Sequence, residues 1–78
     1  MLQYNNMSDD EATIERTAKR LRAARRAKHL TQTQVAEKAG VSMNYYSLVE
    51  RAKKNPTTSN FAKIIDAIGV TSAEILGK

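Results

Sequence analysis

Thr31-Gln32-Thr33-Gln34-Val35-Ala36-Glu37-Lys38-Ala39-Gly40-Val41-Ser42 is the stretch whose reading decides the fold. Thr31 and Gln34 have the spacing of a capping box, in which the hydroxyl accepts an orphan backbone N–H and the glutamine side chain bonds back to the cap. A helix over 32–39 follows, burying Val35, Ala36 and Ala39. Gly40 stands where a left-handed residue ends such a helix. Ser42 is an N-cap candidate for a second helix over 43–51, which buries Tyr46 and Val49. Small Ala36 lets the two helices approach closely, and Val35, Val41, Tyr46 and Val49 fill the space between them. These are the demands of a helix-turn-helix, though helix-Gly-helix alone is equally a hairpin inside a bundle.

Working outward, the same start signals recur. Ser8 with Glu11 and Thr71 with Glu74 repeat the capping-box spacing, and Thr57 is a further N-cap candidate. Toward the N-terminus, Ile14, Ala18, Leu21 and Ala24 mark the buried stripe of a helix over 9–28. Toward the C-terminus, Lys53-Lys54-Asn55-Pro56 forms a basic loop in which proline stops helical continuation. Phe61, Ile64, Ile65 and Ile68 then give the i, i+3, i+4, i+7 pattern of an amphipathic helix over 58–68, ended by Gly69. A last short helix over 72–76 carries Ile75 and Leu76. No strand-like alternation competes. The expectation is a compact all-α fold of five helices spanning 9–78, behind a flexible N-terminal segment over 1–8.

Composition narrows the chemistry. The chain has 78 residues, so one domain with a thin core is expected. It has no cysteine, which removes disulfides, thiolate metal sites and cysteine nucleophiles and suits a reducing cytoplasm. No apolar run approaches a membrane span, and the opening MLQYNNMSDDEA has neither the charged nor the apolar region of a signal peptide. Thirteen Lys and Arg against eight Asp and Glu give a net charge of +5. Arg16, Lys19, Arg20, Arg22, Arg25, Arg26 and Lys28 concentrate the basic excess on the first helix. That concentration suits a polyanion, although a solvated helix face has the same look. The alanine-rich stripe of this helix argues against a membrane-surface role.

Catalysis finds no support. His29 is the sole histidine and reads as a helix C-cap residue; there is no glycine-rich phosphate loop and no cluster of metal ligands. Asp9 and Asp10 sit at a helix start, where their charge favours the dipole. No cofactor and no metal are expected, and the chain is not read as an enzyme.

Residues 14–76 resemble the Cro/repressor-like helix-turn-helix family, also called the XRE family. Leu30-Thr31-Gln32 with Val35-Ala36 looks like its Leu-Thr-Gln-x-x-Leu-Ala, and Gly40-Val41-Ser42 like its Gly-Val-Ser turn. Val49-Glu50-Arg51 followed by Asn55-Pro56 is similar to its Ile-Glu-Arg-Gly-x-x-x-Pro. Ile68-Gly69-Val70-Thr71 with Ile75-Leu76 is similar to its Leu-Gly-Val-Ser ending. Two positions depart from the pattern. Ala52 and His29 stand where the family has glycine, so a positive φ at Ala52 is strained.

The resemblance implies a lambda-repressor-like DNA-binding domain with the helix-turn-helix at helices 2 and 3. The third helix then lies in the major groove of double-stranded DNA. It implies base contacts from Ser42, Met43, Asn44, Tyr45 and Leu48. Asn44 has the chemistry to pair bidentately with adenine N6 and N7, and Met43 to touch a thymine methyl. Tyr45 suits a phosphate or a sugar. Asn44 is equally an ordinary solvated residue, Met43 and Leu48 ordinary exposed apolar ones, and Leu48 also fits against a partner chain. Phosphate contacts are expected from Gln32, from Lys53, Lys54 and Asn55, and from Arg22 or Arg26. Arg25 and Glu50 match a structural ion pair linking helices 1 and 3. A homodimer on a (pseudo)palindromic operator is implied, with Val70, Ile75 and Leu76 at the interface while also closing the core. The expected function is that of a repressor or autoregulator. Restriction–modification controller proteins, phage Cro-like repressors and antitoxins all fit. The alternative is an antitoxin or adaptor whose helix-turn-helix binds a partner protein.

Overall fold

Five helices account for the computed structural model, which describes residues 10–77. They are α1 (Glu11–Ala27), α2 (Gln32–Ala39), α3 (Met43–Glu50), α4 (Thr58–Ile68) and α5 (Ser72–Leu76). α2, α4 and α5 have the bounds the sequence predicts. α3 stops at Glu50, one residue early, because Arg51 is the C-cap. α1 begins two residues later than expected. Its cap is Asp10, whose extended backbone and short carboxylate let Oδ2 accept the Thr13 N–H at 3.1 Å. The expected Ser8 cap, Asp9 and the flexible segment 1–8 lie outside the described residues.

Every helix starts on a side-chain oxygen: Asp10, Thr31, Ser42, Thr57 and Thr71 each accept the N–H three residues on. Thr31–Gln34 and Thr71–Glu74 are complete capping boxes, with Gln34 Oε1 accepting the Thr31 N–H at 2.8 Å and Glu74 Oε1 the Thr71 N–H at 2.7 Å. The exits are equally uniform. α1, α2 and α3 each close with a pair of backbone bonds such as Leu30 N–H to Arg25 and His29 N–H to Arg26. That closure needs a left-handed residue. Gly40 supplies it after α2 with φ 75, but His29 after α1 and Ala52 after α3 adopt φ 60 and 59. A Cβ on Gly40 meets nothing within 4 Å, so glycine is favoured there by backbone conformation rather than required by space.

α2 packs chiefly on α4 and then on α3, while α1 lies across α3, α4 and α5. The core joins Leu21, Val35, Ala36, Ala39, Tyr46, Val49, Phe61, Ile64, Ile68 and Ile75. Ala18 is buried as the α1 stripe predicts, whereas Ile14 and Ala24 are half-buried and Thr17 is buried instead. Ile65 is also only half-buried and packs on the edge of the cluster. Ile75, expected both to close the core and to stand at a dimer interface, is 2% exposed and packs in this core, where α5 lies against α1. Val70 and Leu76 remain half-exposed at that end. Among the described residues no helix is long and apolar enough to cross a membrane.

Candidate nucleic-acid interface

The chain puts α3 at the surface with opposite treatments of its two ends. At the N-terminal end Ser42 Oγ accepts the Tyr45 N–H at 2.9 Å, which fixes the helix start. Ser42, Met43 and Asn44 are exposed; Met43, at 48%, is the one large apolar side chain so exposed among the described residues. Tyr45 and Leu48 are half-buried on the same helix. The Tyr45 hydroxyl accepts from Asn60 Nδ2 of α4 at 3.1 Å.

At the C-terminal end the helix is tied down by a buried carboxylate. Glu50 is 1% exposed. Its Oε2 accepts from Arg25 Nε at 2.6 Å and from the Tyr46 hydroxyl, and its Oε1 from Arg25 Nη2 at 3.0 Å and Gln32 Nε2 at 2.9 Å. A carboxylate offers about four lone-pair sites, and here all are used. Arg25 meets it as a fork, the stronger geometry for a charged pair, and its Nη1 donates to the Leu30 carbonyl at 2.8 Å. Burial alone pushes the Glu50 carboxyl up. The hydrogen bonds from Arg25, Tyr46 and Gln32 outweigh burial and hold it below its ordinary value. Burial, then donation to Glu50, raises the Tyr46 phenol; the bond to Glu50 raises the Arg25 guanidinium. Among the described residues no buried side-chain nitrogen or oxygen lacks a partner.

The basic excess of α1 is spent largely on the protein itself. Arg22 Nη1 donates to the Glu50 carbonyl at 2.8 Å, Lys28 Nζ to Gly69 at 3.3 Å and Arg20 Nη1 to Ile75 at 3.1 Å. These are carbonyls at the C-terminal ends of α3, α4 and α5, where the helix dipole favours a cation. Arg16 donates to Thr13 Oγ1 at 3.3 Å. Lys19 and Arg26 remain exposed, as do Lys53 and Lys54 after α3. Asn55 is half-buried beside buried Pro56.

Of the residues singled out in the sequence, the structure joins Arg25, Glu50 and Gln32 in one network and sets Ser42, Met43 and Asn44 side by side on the surface. Sequence reasoning missed Tyr46 as a Glu50 partner and Asn60 as a Tyr45 partner. The first was readable, since Tyr46 and Glu50 are i and i+4 on one helix face. The second spans two helices and leaves no local signal.

The helix-turn-helix family profile matches residues 21–75. The chain is 37% identical over 59 residues to the immunity repressor protein of Bacillus phage phi105, covering 76% of this chain and 41% of that protein. It is 36% identical over 59 residues to the cryptic phage CTXphi transcriptional repressor RstR of Vibrio cholerae, covering 76% and 53%. The chain thus corresponds to only about half of these relatives' length. In structure it is similar to the restriction-modification controller protein C.AhdI from Aeromonas hydrophila, with TM-score 0.78 and 31% identity over 82% of this chain and 97% of that one. It is equally similar to the clp gene regulator ClgR from Corynebacterium glutamicum, with TM-score 0.79 and 31% identity over 82% of each chain. With its capped α2, its Gly40 turn and the profile match over residues 21–75, the chain belongs to the Cro/repressor-like (XRE) helix-turn-helix family.

Proposed function

We propose that the chain binds double-stranded DNA in a sequence-specific way as a homodimeric repressor or autoregulator, with α3 reading the major groove. The observation that carries this reading is the exposed turn Ser42-Met43-Asn44 at the start of a helix whose other end is immobilised by Glu50. Base recognition needs side chains that are free but held on a rigid support, and this end of α3 meets both conditions. Asn44 is the adenine reader, Met43 contacts a thymine methyl, and Ser42, Tyr45 and Leu48 complete the base-facing set. Arg26, Lys53, Lys54 and Asn55 hold phosphates. Gln32 and Arg22 do so with the donors left after their bonds to Glu50.

One helix-turn-helix makes few base contacts, so two copies are needed, on half-sites about 34 Å apart. Val70 and Leu76 form the dimer surface, with Ile75 backing them from the core. The repressors and regulators to which the chain is similar favour a regulatory outcome.

The test is footprinting of the DNA upstream of the chain's own gene at about 150 mM salt, which suppresses nonspecific binding. The expected result is one symmetric protected site, lost with Asn44→Ala while nonspecific binding survives. Protection that is asymmetric, or that survives Asn44→Ala, removes the dimer or the assignment of α3 respectively. Duplex affinity that barely changes with salt removes DNA as the partner.

A further inference from the structure

Resting on the DNA-binding reading, we propose that Asn60 of α4 is a positioning residue that sets the Tyr45 hydroxyl as a hydrogen-bond donor toward an acceptor atom on DNA. A phenol has one proton to give and lone pairs to receive with. Asn60 Nδ2 donates to the Tyr45 oxygen at 3.1 Å, so that oxygen is already receiving and the hydroxyl proton is directed elsewhere. Receiving a hydrogen bond also polarises the O–H and strengthens what it donates.

Asn60 is well placed to impose this polarity. It is the third residue of α4, and its backbone N–H is fixed on Thr57 Oγ1 at 3.1 Å. α4 in turn is anchored in the core by Phe61 and Ile64. Tyr45 is held on its own side by its N–H bond to Ser42 and by packing of its ring against the core cluster. Two helices thus hold the hydroxyl of the residue that directly follows the exposed Ser42-Met43-Asn44 turn. The chemistry that fits is an acceptor: a phosphate oxygen, or a purine N7, guanine O6 or thymine O4 at a base edge. An amino group of adenine or cytosine fits less well, because Asn60 already uses one lone pair of the receiving oxygen.

The test uses the full chain and a duplex selected by it from a random pool, with affinities for wild type, Tyr45→Phe, Asn60→Ala, Asn60→Asp and the two double variants. Tyr45→Phe weakens binding roughly 3–10-fold, the worth of one neutral hydrogen bond. Asn60→Ala removes most of that, and in the Tyr45→Phe background it removes nothing more. Asn60→Asp reverses the polarity, since the carboxylate draws the phenol proton to itself. Binding falls at least as far as with Tyr45→Phe, yet the melting temperature holds, because a carboxylate in the first turn of α4 suits the helix dipole. A purely structural role for Asn60 predicts the opposite, loss of melting temperature in step with affinity.

Duplexes carrying a methylphosphonate at each contacted phosphate separate the two acceptor sources. Loss of the Tyr45→Phe penalty on such a duplex assigns a phosphate; its survival there, with loss on a base-pair change, assigns a base edge. Effects of Asn60 and Tyr45 that simply add on a duplex the wild type binds well overturn the inference alone. Failure of the wild type to select any duplex overturns the DNA-binding reading and this inference with it.

Discussion

The two ends of α3, seven residues apart, obey opposite rules. At Glu50 every polar atom is spoken for, by Arg25, Tyr46 and Gln32 on the carboxylate and by Arg22 on the carbonyl. At Ser42–Asn44 the backbone is capped, but the side chains face solvent. One end is specified by the protein and the other is left for something outside it. The contrast implies that substitutions at the first end change stability and that those at the second change binding.

The largest expected effect is Glu50→Gln. Net, a buried pair contributes little relative to an apolar replacement, but removing one partner strands the other charge and costs about 3–5 kcal/mol. For a domain of this size each kcal/mol moves the melting point by about 4–8 °C, so thermal denaturation shows a fall of more than about 12 °C. An unchanged melting temperature breaks the comparison at its locked end. Tyr46→Phe deletes one donor to the charged carboxylate and costs about 1.5–3 kcal/mol.

pH probes the same end. The Glu50 carboxyl lies below its ordinary 4.5 when folded. Its contribution is therefore fully present above the unfolded value and is lost as pH falls through the folded one. The stability gap between wild type and Glu50→Gln, measured by urea unfolding, is constant near neutrality and narrows below about pH 4.5. A gap that persists down to pH 2 assigns the loss to packing.

At the open end the expectation reverses. Asn44→Ala weakens operator binding by about 1–3 kcal/mol per half-site, the worth of a bidentate adenine contact. Melting temperature stays within about 0.5 kcal/mol of wild type in stability terms, as for an ordinary surface substitution. A fall in melting temperature without a fall in affinity makes Asn44 a structural residue.

The sequence was most legible where structure is local. Caps such as Thr31 and Thr71 and the turn at Gly40 lie within a few residues of what they bind, so the bounds of α2, α4 and α5 follow from spacing. The fold class follows from the apolar periodicity of α1 and α4. What sequence could not show is where long side chains go. Arg20, Arg22 and Lys28 read as a surface charge stripe, yet each reaches across to a carbonyl of another helix. The Asn60–Tyr45 bond likewise depends on how α4 packs. The Arg25–Glu50 pair joins residues far apart in sequence, and only the resemblance to a family pointed to it.

The smallest expected effect sharpens the locked end. The residue after the α3 C-cap must adopt left-handed φ so that the Lys53 and Ala52 N–H groups can reach Leu48 and Val49. Alanine does this at φ 59, where an L side chain costs about 1–2 kcal/mol. Glycine removes that strain but gives back part of it, because the unfolded chain gains freedom. The balance for Ala52→Gly is about +0.5–1 kcal/mol. His29 adopts the same conformation after α1 at φ 60. Histidine, however, is among the side chains found more often in that region, so His29→Gly gains less. Differential scanning calorimetry of the two variants therefore orders them Ala52→Gly above His29→Gly above wild type, with operator affinity unchanged in both. A lower melting temperature for Ala52→Gly means that alanine is unstrained at this exit. The rigidity of the Glu50 end then owes something to alanine itself, by restricting the loop that carries Lys53 and Lys54.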